Sequence, residues 1–280
     1  MRVDYTNMEW EIEYFTGDPF HLIGWEQLVY FEFDVKRAVS FEMDLRAGQW
    51  MGADDETAIA YGSGRSYRGS LEVKGRLIDS AASGTVIAAA LDTRYGQSVQ
   101  SIPSLIYFNA LNDRNAVVDD ENVVPTTLLD HEVNTTHDGE ILTSRSATAP
   151  QLLIHQEFSQ YAQVHFGIEY EFGLSESVDA PENVDGDDEV GDTMLIAFEL
   201  GSDLGRYTSV PVEPRIIMSS ARSFGLENDW RAQAYGGSFA VHAAPDFFVS
   251  AWFLTVRENQ PDLSGNGFRT GIAVQKFFDR

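Results

Sequence analysis

The chain of 280 residues contains no cysteine. It can therefore form no disulfide, no thiolate metal site and no cysteine nucleophile. Lysine is nearly absent, with only Lys36, Lys74 and Lys276, and 19 basic residues stand against 44 acidic ones, which gives a formal net charge of −25. Because nucleic acid is itself a polyanion, we expect no direct contact between it and this protein.

Long apolar runs are missing as well. No stretch reaches the roughly 18 apolar residues that a transmembrane helix needs, so the sequence predicts no such helix and no membrane span. The segment MRVDYTNMEW lacks the apolar core of about 7 to 15 residues that follows a basic start in secretory signals. We therefore expect synthesis and first folding in the cytoplasm.

Catalytic motifs are absent too. His131, Glu132 and His137 occur as HEVNTTH, which lacks the HExxH spacing that places two histidines on one helical face for zinc. No GxSxG sequence is present to hold a serine on a strained turn. The sequence thus predicts a protein that is not an enzyme and has no cofactor.

One acidic stretch offers candidate metal ligands. It contains Asp185, Asp187, Asp188 and Glu189 around Gly186. Carboxylate oxygens in a flexible loop suit calcium or another hard cation, although the spacing departs from the EF-hand pattern. The alternative is an acidic loop that only binds water and salt ions.

The clearest positive signal is an alternation of apolar and polar residues with period 2. The segments 29–35 and 39–45 both alternate in this way, and Lys36 and Arg37 lie between them. Since successive side chains of a strand point to opposite faces, the pattern predicts two half-buried antiparallel strands joined as a hairpin. Residues 8–14 also alternate, with Met8, Trp10 and Ile12 on one face.

Similar short segments recur along the chain, with Gly, Pro, Ser or Asn at their ends. About twelve strands are predicted, including one at 105–111, and residues 52–69 are expected to form a long surface loop. The fold class is therefore all-β, an antiparallel β-sandwich of the jelly-roll type with long acidic loops. We expect Phe31, Phe41, Phe166 and Phe253 in its core.

The chain divides by composition into three parts. Residues 1–112 and 151–280 are β-rich, and residues 113–150 are polar and acidic without a clear period. A segment of this length is either a linker or an excursion with a function. We expect it to act as an arm that contacts a neighbouring subunit, although the two β-rich blocks can also form one continuous domain.

The excess of acidic residues and the scarcity of lysine together favour a protein adapted to very high salt. At molar salt the Debye length falls to about 3 Å, so the carboxylates no longer repel one another strongly. In this composition the chain resembles proteins of halophilic archaea and their viruses. That resemblance, with the β-rich pattern, implies a virion structural protein that assembles with itself and with other virion proteins into a capsid shell, a tail or a baseplate.

A second class of protein fits the same strands. Twelve alternating segments, many aromatic residues and an amphipathic end, GFRTGIAVQKFFDR, are typical of an outer-membrane β-barrel. Against this class stand the missing signal, the two residues after Phe278, and the segment 86–91, which is apolar on both faces. Dependence on detergent separates the two classes, because only a barrel needs it for extraction.

Overall fold

The fold is known from a computed structural model that describes residues 1–14, 19–35, 38–54, 57–58, 62–80, 82–101, 140–159, 162–179, 191–202, 204, 212–224, 230–244, 246–259 and 263–278. The described strands are β1 (Arg2–Tyr14), β2 (Phe20–Val35), β3 (Val39–Gly52), β4 (Ser63–Ser80), β5 (Thr85–Ser101), β6 (Glu140–Ser159), β7 (Ala162–Asp179), β8 (Asp192–Gly201), β9 (Val212–Phe224), β10 (Arg231–Ala244), β11 (Phe247–Asn259) and β12 (Leu263–Lys276). They form one closed antiparallel barrel, in which each strand pairs with its neighbours in the chain and β1 pairs with β12.

The hairpin predicted from the alternation is confirmed. Strands β2 and β3 pair from Val35–Val39 at the turn through Phe33–Phe41 and onwards to Leu22–Gly52. The Ala38 N–H donates a hydrogen bond to the Val35 carbonyl oxygen at 3.3 Å, which closes the turn. Both strands are longer than the alternating segments that predicted them.

The predicted jelly-roll sandwich is wrong. A jelly roll is built from Greek keys, in which some strands pair with partners that are distant in the chain. Here each strand is hydrogen-bonded to the strand before it and the strand after it, and the pairing of β1 with β12 closes the sheet on itself. A closed sheet has no free edge and needs no second sheet to cover it.

The prediction that four phenylalanines lie in the core is also wrong. Phe41 is 40% exposed and Phe253 is 51% exposed, and Phe31 and Phe166 are only half-buried. Among the described residues, the buried hydrophobic side chains are alanines and two valines, Val212 and Val256. The alternation is therefore present, but its apolar face points away from the interior of the barrel.

These outward apolar side chains form a continuous surface that we call the outer band. All twelve strands contribute to it. Its members include Val3, Tyr5, Phe33, Val35, Phe41, Met43, Leu45, Leu71, Val73, Leu77, Leu91, Leu152, Phe172, Ile196, Leu200, Ile216, Met218, Phe239, Val241, Phe253, Phe268, Ile272 and Val274.

Tyrosines border the outer band on one side. On four strands an outward tyrosine is followed, two residues further from the band, by an outward polar residue. The pairs are Tyr5 and Asn7, Tyr67 and Arg65, Tyr95 and Gln97, and Tyr235 and Gln233. From Tyr67 to Leu77 on β4 the band measures about 25 Å, at a rise of about 3.3 Å per residue and a typical barrel tilt of about 40°. Aromatic girdles and an apolar band of this height are features of barrels that span outer membranes.

The two ends of the barrel differ. One end, the turn end, has the links 36–38, 81–84, 160–161, 202–211 and 245–246 and the strand ends near residues 1 and 276. The other, the loop end, has the links 15–19, 53–62, 102–139, 180–191, 225–230 and 260–262. The two longest links, 102–139 and 180–191, both join strands at the loop end.

Several segments predicted from the sequence differ from the strands of the structure or lie outside the residues that it describes. Strand β4 begins at Ser63, so the surface loop predicted for residues 52–69 is shorter than expected. The predicted strand 105–111 lies outside the described residues, as does the predicted arm up to residue 139. Residues 140–150 belong to β6, in the barrel wall. Strands from both predicted β-rich blocks contribute to the same barrel.

Candidate functional site: the barrel lumen

The polar side chains of the alternating strands line much of the lumen. On β2 to β5, the strand registers bring Glu32, Glu42, Glu72 and Asp92 directly opposite one another, each facing the next across adjacent strands. We call these four residues the acidic row. Like charges in directly opposed positions repel one another, so the row requires nearby cations.

Lys74 and Arg94 supply positive charge to the acidic row. The Lys74 ammonium group contacts the Glu42 carboxylate and lies 3.3 Å from Glu72 Oε1. The Arg94 guanidinium donates to Asp92 at 2.5 Å, and it also contacts two carboxylates of β7, Glu169 and Glu171, the latter at 2.6 Å. Arg94 is thus the centre of three ion pairs, two of which join β5 to β7 across β6.

The opposite wall has its own polar network. Arg215 of β9 donates to Glu199 of β8 and to Glu213 of its own strand, both at 3.0 Å. Glu213 also lies 2.5 Å from Nε2 of His242 on β10. A cavity of about 680 Å³ lies against this wall, where the small residues Ser238, Ala240 and Ser250 leave room.

A second cavity, of about 410 Å³, lies towards the turn end. Its lining includes Glu32 and Lys74 from one wall and a histidine pair from the other. His155 of β6 and His165 of β7 face each other, with Nδ1 atoms 3.3 Å apart. His165 Nε2 lies 4.0 Å from the Glu199 carboxylate, so the pair is continuous with the Arg215 network.

The character of the lumen changes towards the loop end. Trp10 and Trp50 face inward there, as does Trp252 near mid-height of the barrel, and each ring lies against a glycine of the adjacent strand. A Cβ on Gly64 would lie 2.4 to 2.6 Å from three ring atoms of Trp50, and one on Gly267 would lie 2.7 to 2.8 Å from three atoms of Trp10. Similar distances to three atoms mean that the face of the ring covers the glycine, so only glycine allows this approach.

The structure does not describe the candidate site residues considered from the sequence. Asp185, Asp187, Asp188 and Glu189 are outside the described residues, and so are His131, Glu132 and His137. Within the described ranges, no group of three or more His, Asp or Glu side chains is arranged to hold a metal ion. The acidic row was missed, although its members are the charged half of alternating segments.

None of the helical segments in the part of the chain that the structure describes is long and apolar enough to cross a membrane.

An apolar exterior, a charged interior and complete closure define a class of fold: the chain is an all-β, twelve-stranded antiparallel barrel resembling those of outer membranes. No protein-family model matches the chain, and no curated protein matches it. Comparison with solved structures does find similar folds.

Three of these similar structures are two autotransporter domains and an outer membrane channel. The translocator domain of autotransporter NalP from Neisseria meningitidis has 11% identity and a TM-score of 0.51, over 99% of this chain and 88% of that chain. The β domain of the Bordetella autotransporter BrkA has 9% identity and a TM-score of 0.55, over 99% of each chain. An outer membrane channel from Pseudomonas putida F1 has 7% identity and a TM-score of 0.55, over 99% of this chain and 95% of that chain.

The prediction of a capsid, tail or baseplate protein of a virus of halophilic archaea is therefore wrong. The similar structures are outer-membrane barrels, and the same findings contradict the expected virion location, the virion partners and the absence of a membrane span. They favour the second class considered from the sequence. Two of these neighbours are a translocator domain and an outer membrane channel, and neither is described as an enzyme.

Proposed function

We propose that this protein is an outer-membrane β-barrel that forms a passive channel for small solutes, with a preference for cations. One observation carries the proposal: the polarity of the barrel is inverted, with apolar side chains outside on every strand and charged side chains inside. This arrangement suits hydrocarbon around the barrel and water within it.

The outer band explains why a membrane is the appropriate solvent. Soluble monomers rarely expose a contiguous apolar patch above a few hundred Å², whereas here the whole circumference is apolar. A closed barrel also pairs the backbone N–H and C=O groups of its strands with one another, which a membrane-spanning structure requires. Lipid thus removes the cost that water would impose on this surface.

The lumen supports the proposed preference for cations. Among the lumen-facing side chains of the described strands, acidic groups outnumber basic ones. The acidic set includes Asp4, Glu26, Glu32, Asp34, Glu42, Asp44, Glu72, Asp79, Asp92, Glu169, Glu171, Glu199, Glu213 and Glu258, and the basic set Arg2, Arg46, Arg68, Lys74, Arg76, Arg94, Arg145, Arg215 and Arg269. Walls that carry an excess of one charge raise the local concentration of the opposite ion.

The channel proposal predicts discrete conductance steps when the folded protein is added to a planar lipid bilayer. Ser250→Trp should lower the step size, because Ser250 lines the 680 Å³ cavity and an indole would occupy it. Ala251→Trp is the matched control, since Ala251 is the next residue and faces outward, where a tryptophan is tolerated. Protein that is inserted and β-folded but conducts nothing would contradict the proposal, as would equal steps from both variants.

The preference for cations is tested by the reversal potential in a KCl gradient. Glu26 and Glu32 line the two lumen cavities and take part in none of the ion pairs described above, so the double variant Glu26→Gln/Glu32→Gln should leave the fold intact. We expect it to lower the cation-to-anion permeability ratio about twofold at 0.1 M salt, where the Debye length is about 10 Å, and much less at 1 M. Glu9→Gln removes a single negative charge from the outside of β1 and should change nothing. An anion-selective wild type would refute the preference while leaving the channel proposal in place.

A further inference from the structure

A separate cavity of about 210 Å³ opens inside the barrel at the loop end. It spans β11, β12, β1, β2 and β3, and we call it the tryptophan pocket. Its inward-facing lining consists of Met8, Trp10, Ile12, Leu22, Gly24, Trp50, Glu258 and Gly265. A cavity lined by apolar side chains with an engineered volume of about 150 Å³ already admits a benzene molecule, so this pocket is large enough for a small organic ligand.

The two tryptophans give the pocket aromatic faces. Trp10 covers Gly267 and Trp50 covers Gly64 with one ring face, so the opposite face of each ring is directed into the lumen. The face of an indole ring carries the negative part of its quadrupole and attracts cations. Trp10 already shows this attraction, because the guanidinium carbon of Arg269 lies 5.1 Å from its ring centroid.

Glu258 adds a charge to this apolar surface. It is the one charged residue among those that line the pocket. The Arg269 guanidinium is close enough to attract it electrostatically, but the two side chains form no ion pair. Its strand partners, Ala232 and Gly265, carry no charge. A carboxylate in apolar surroundings is costly unless it has a paired counter-ion, and Arg269 is not in contact with it, so an uncharged apolar ligand would leave part of this cost in place.

We propose that the tryptophan pocket binds a small organic cation of the quaternary ammonium type. A cation of this kind contacts the indole faces with its methyl groups and pairs with Glu258 by charge, which is the chemistry of an aromatic cage. Hard metal ions fit less well, since they require six or more oxygen ligands and the pocket offers one carboxylate. The proposal deepens the proposed function and rests on it, because it places a selective binding site at the loop-end mouth of the channel.

The experiment compares choline with 3,3-dimethylbutan-1-ol, in which a carbon atom replaces the ammonium nitrogen. Binding to the folded barrel in uncharged detergent micelles at about 0.1 M salt is measured by calorimetry and by tryptophan fluorescence. We expect choline to bind about tenfold more tightly than its uncharged isostere. Because this assay needs no conductance, a barrel that does not conduct can still bind choline, and a conducting channel can fail to bind it.

Three variants locate the site. Glu258→Gln keeps the shape of the side chain and should remove the difference between choline and the isostere. Gly265→Val should weaken choline binding about tenfold by filling the pocket; a Cβ at this position meets its nearest atoms at 3.8 to 4.0 Å, an ordinary contact distance. Trp25→Leu is the control, because Trp25 faces outward and stacks on Tyr5 at 6.5 Å; it should leave the affinity unchanged.

Two results would overturn the proposal. Equal affinity of the wild type for choline and the isostere would show that the pocket recognises only apolar shape. Undiminished choline binding by both Glu258→Gln and Gly265→Val, with each variant folded by circular dichroism, would place any bound cation elsewhere in the acidic lumen.

Discussion

Met43→Arg is expected to lower the free energy of unfolding of the lipid-embedded barrel by about 2 to 4 kcal/mol, the cost of an arginine at the midplane of an outer-membrane barrel. Met43 lies near the middle of the outer band and pairs with Phe31 and Leu71, which are also apolar. An arginine there has no carboxylate opposite it and no water within reach. The measurement is reversible unfolding by denaturant in lipid vesicles or bilayer-like micelles.

The matched control is Gln97→Arg. Gln97 also faces outward, but it lies beyond Tyr95 on the polar side of the tyrosines, and its partners are Tyr67 and Ser144. Near the interface the cost of an arginine falls to about 0 to 1 kcal/mol. A similar small loss at both positions would mean that the outer band contacts water, and the membrane proposal would fail with it.

Arg94→Met is expected to lower the free energy of unfolding by about 3 kcal/mol or more, the second large effect that the structure predicts. The Arg94 side chain is 15% exposed and contacts Asp92, Glu169 and Glu171. Removing it leaves Asp92 and Glu169 without a paired cation and Glu171 with Arg145 alone, and breaking a buried ion pair in this way typically costs about 3 to 5 kcal/mol. Replacing Glu169 by Gln in the same protein should recover part of the loss.

Arg76→Met provides the comparison for this effect. Arg76 pairs with Asp79 at 2.9 Å, but the two side chains are 44% and 54% exposed, so the pair contributes about 1 kcal/mol at most. If Arg94→Met costs no more than Arg76→Met, water in the lumen screens the charges, and the network around Arg94 is not a structural element.

The alternation of β2 and β3 predicted their hairpin correctly, because a period of 2 follows from the backbone geometry of a single strand. It also grouped residues correctly: Met8, Trp10 and Ile12 share one face of β1, as predicted. Strand β1 also shows that the alternation does not determine which face points inward. Near the turn end its apolar residues, Val3 and Tyr5, face outward, whereas near the loop end the apolar side chains face the lumen.

The acidic row could not be read from the sequence. Glu32, Glu42, Glu72 and Asp92 come from four strands, and in each strand the residue is one polar position among several. Only the registers between the strands place the four opposite one another. The charge of −25 was interpreted as a surface exposed to concentrated salt, but many of these carboxylates line the lumen.

The sequence by itself determined that the chain is all-β, that its strands are amphipathic, and which residues share a face. It left open which face is inside, because the period of the side chains is the same for a soluble sandwich and for a membrane barrel. That choice was decided by closure, through the pairing of β1 with β12 at opposite ends of the chain. Once the sheet closes, small and charged side chains occupy most of its interior, and most of the large apolar ones face outward, where hydrocarbon covers them in the proposed membrane barrel.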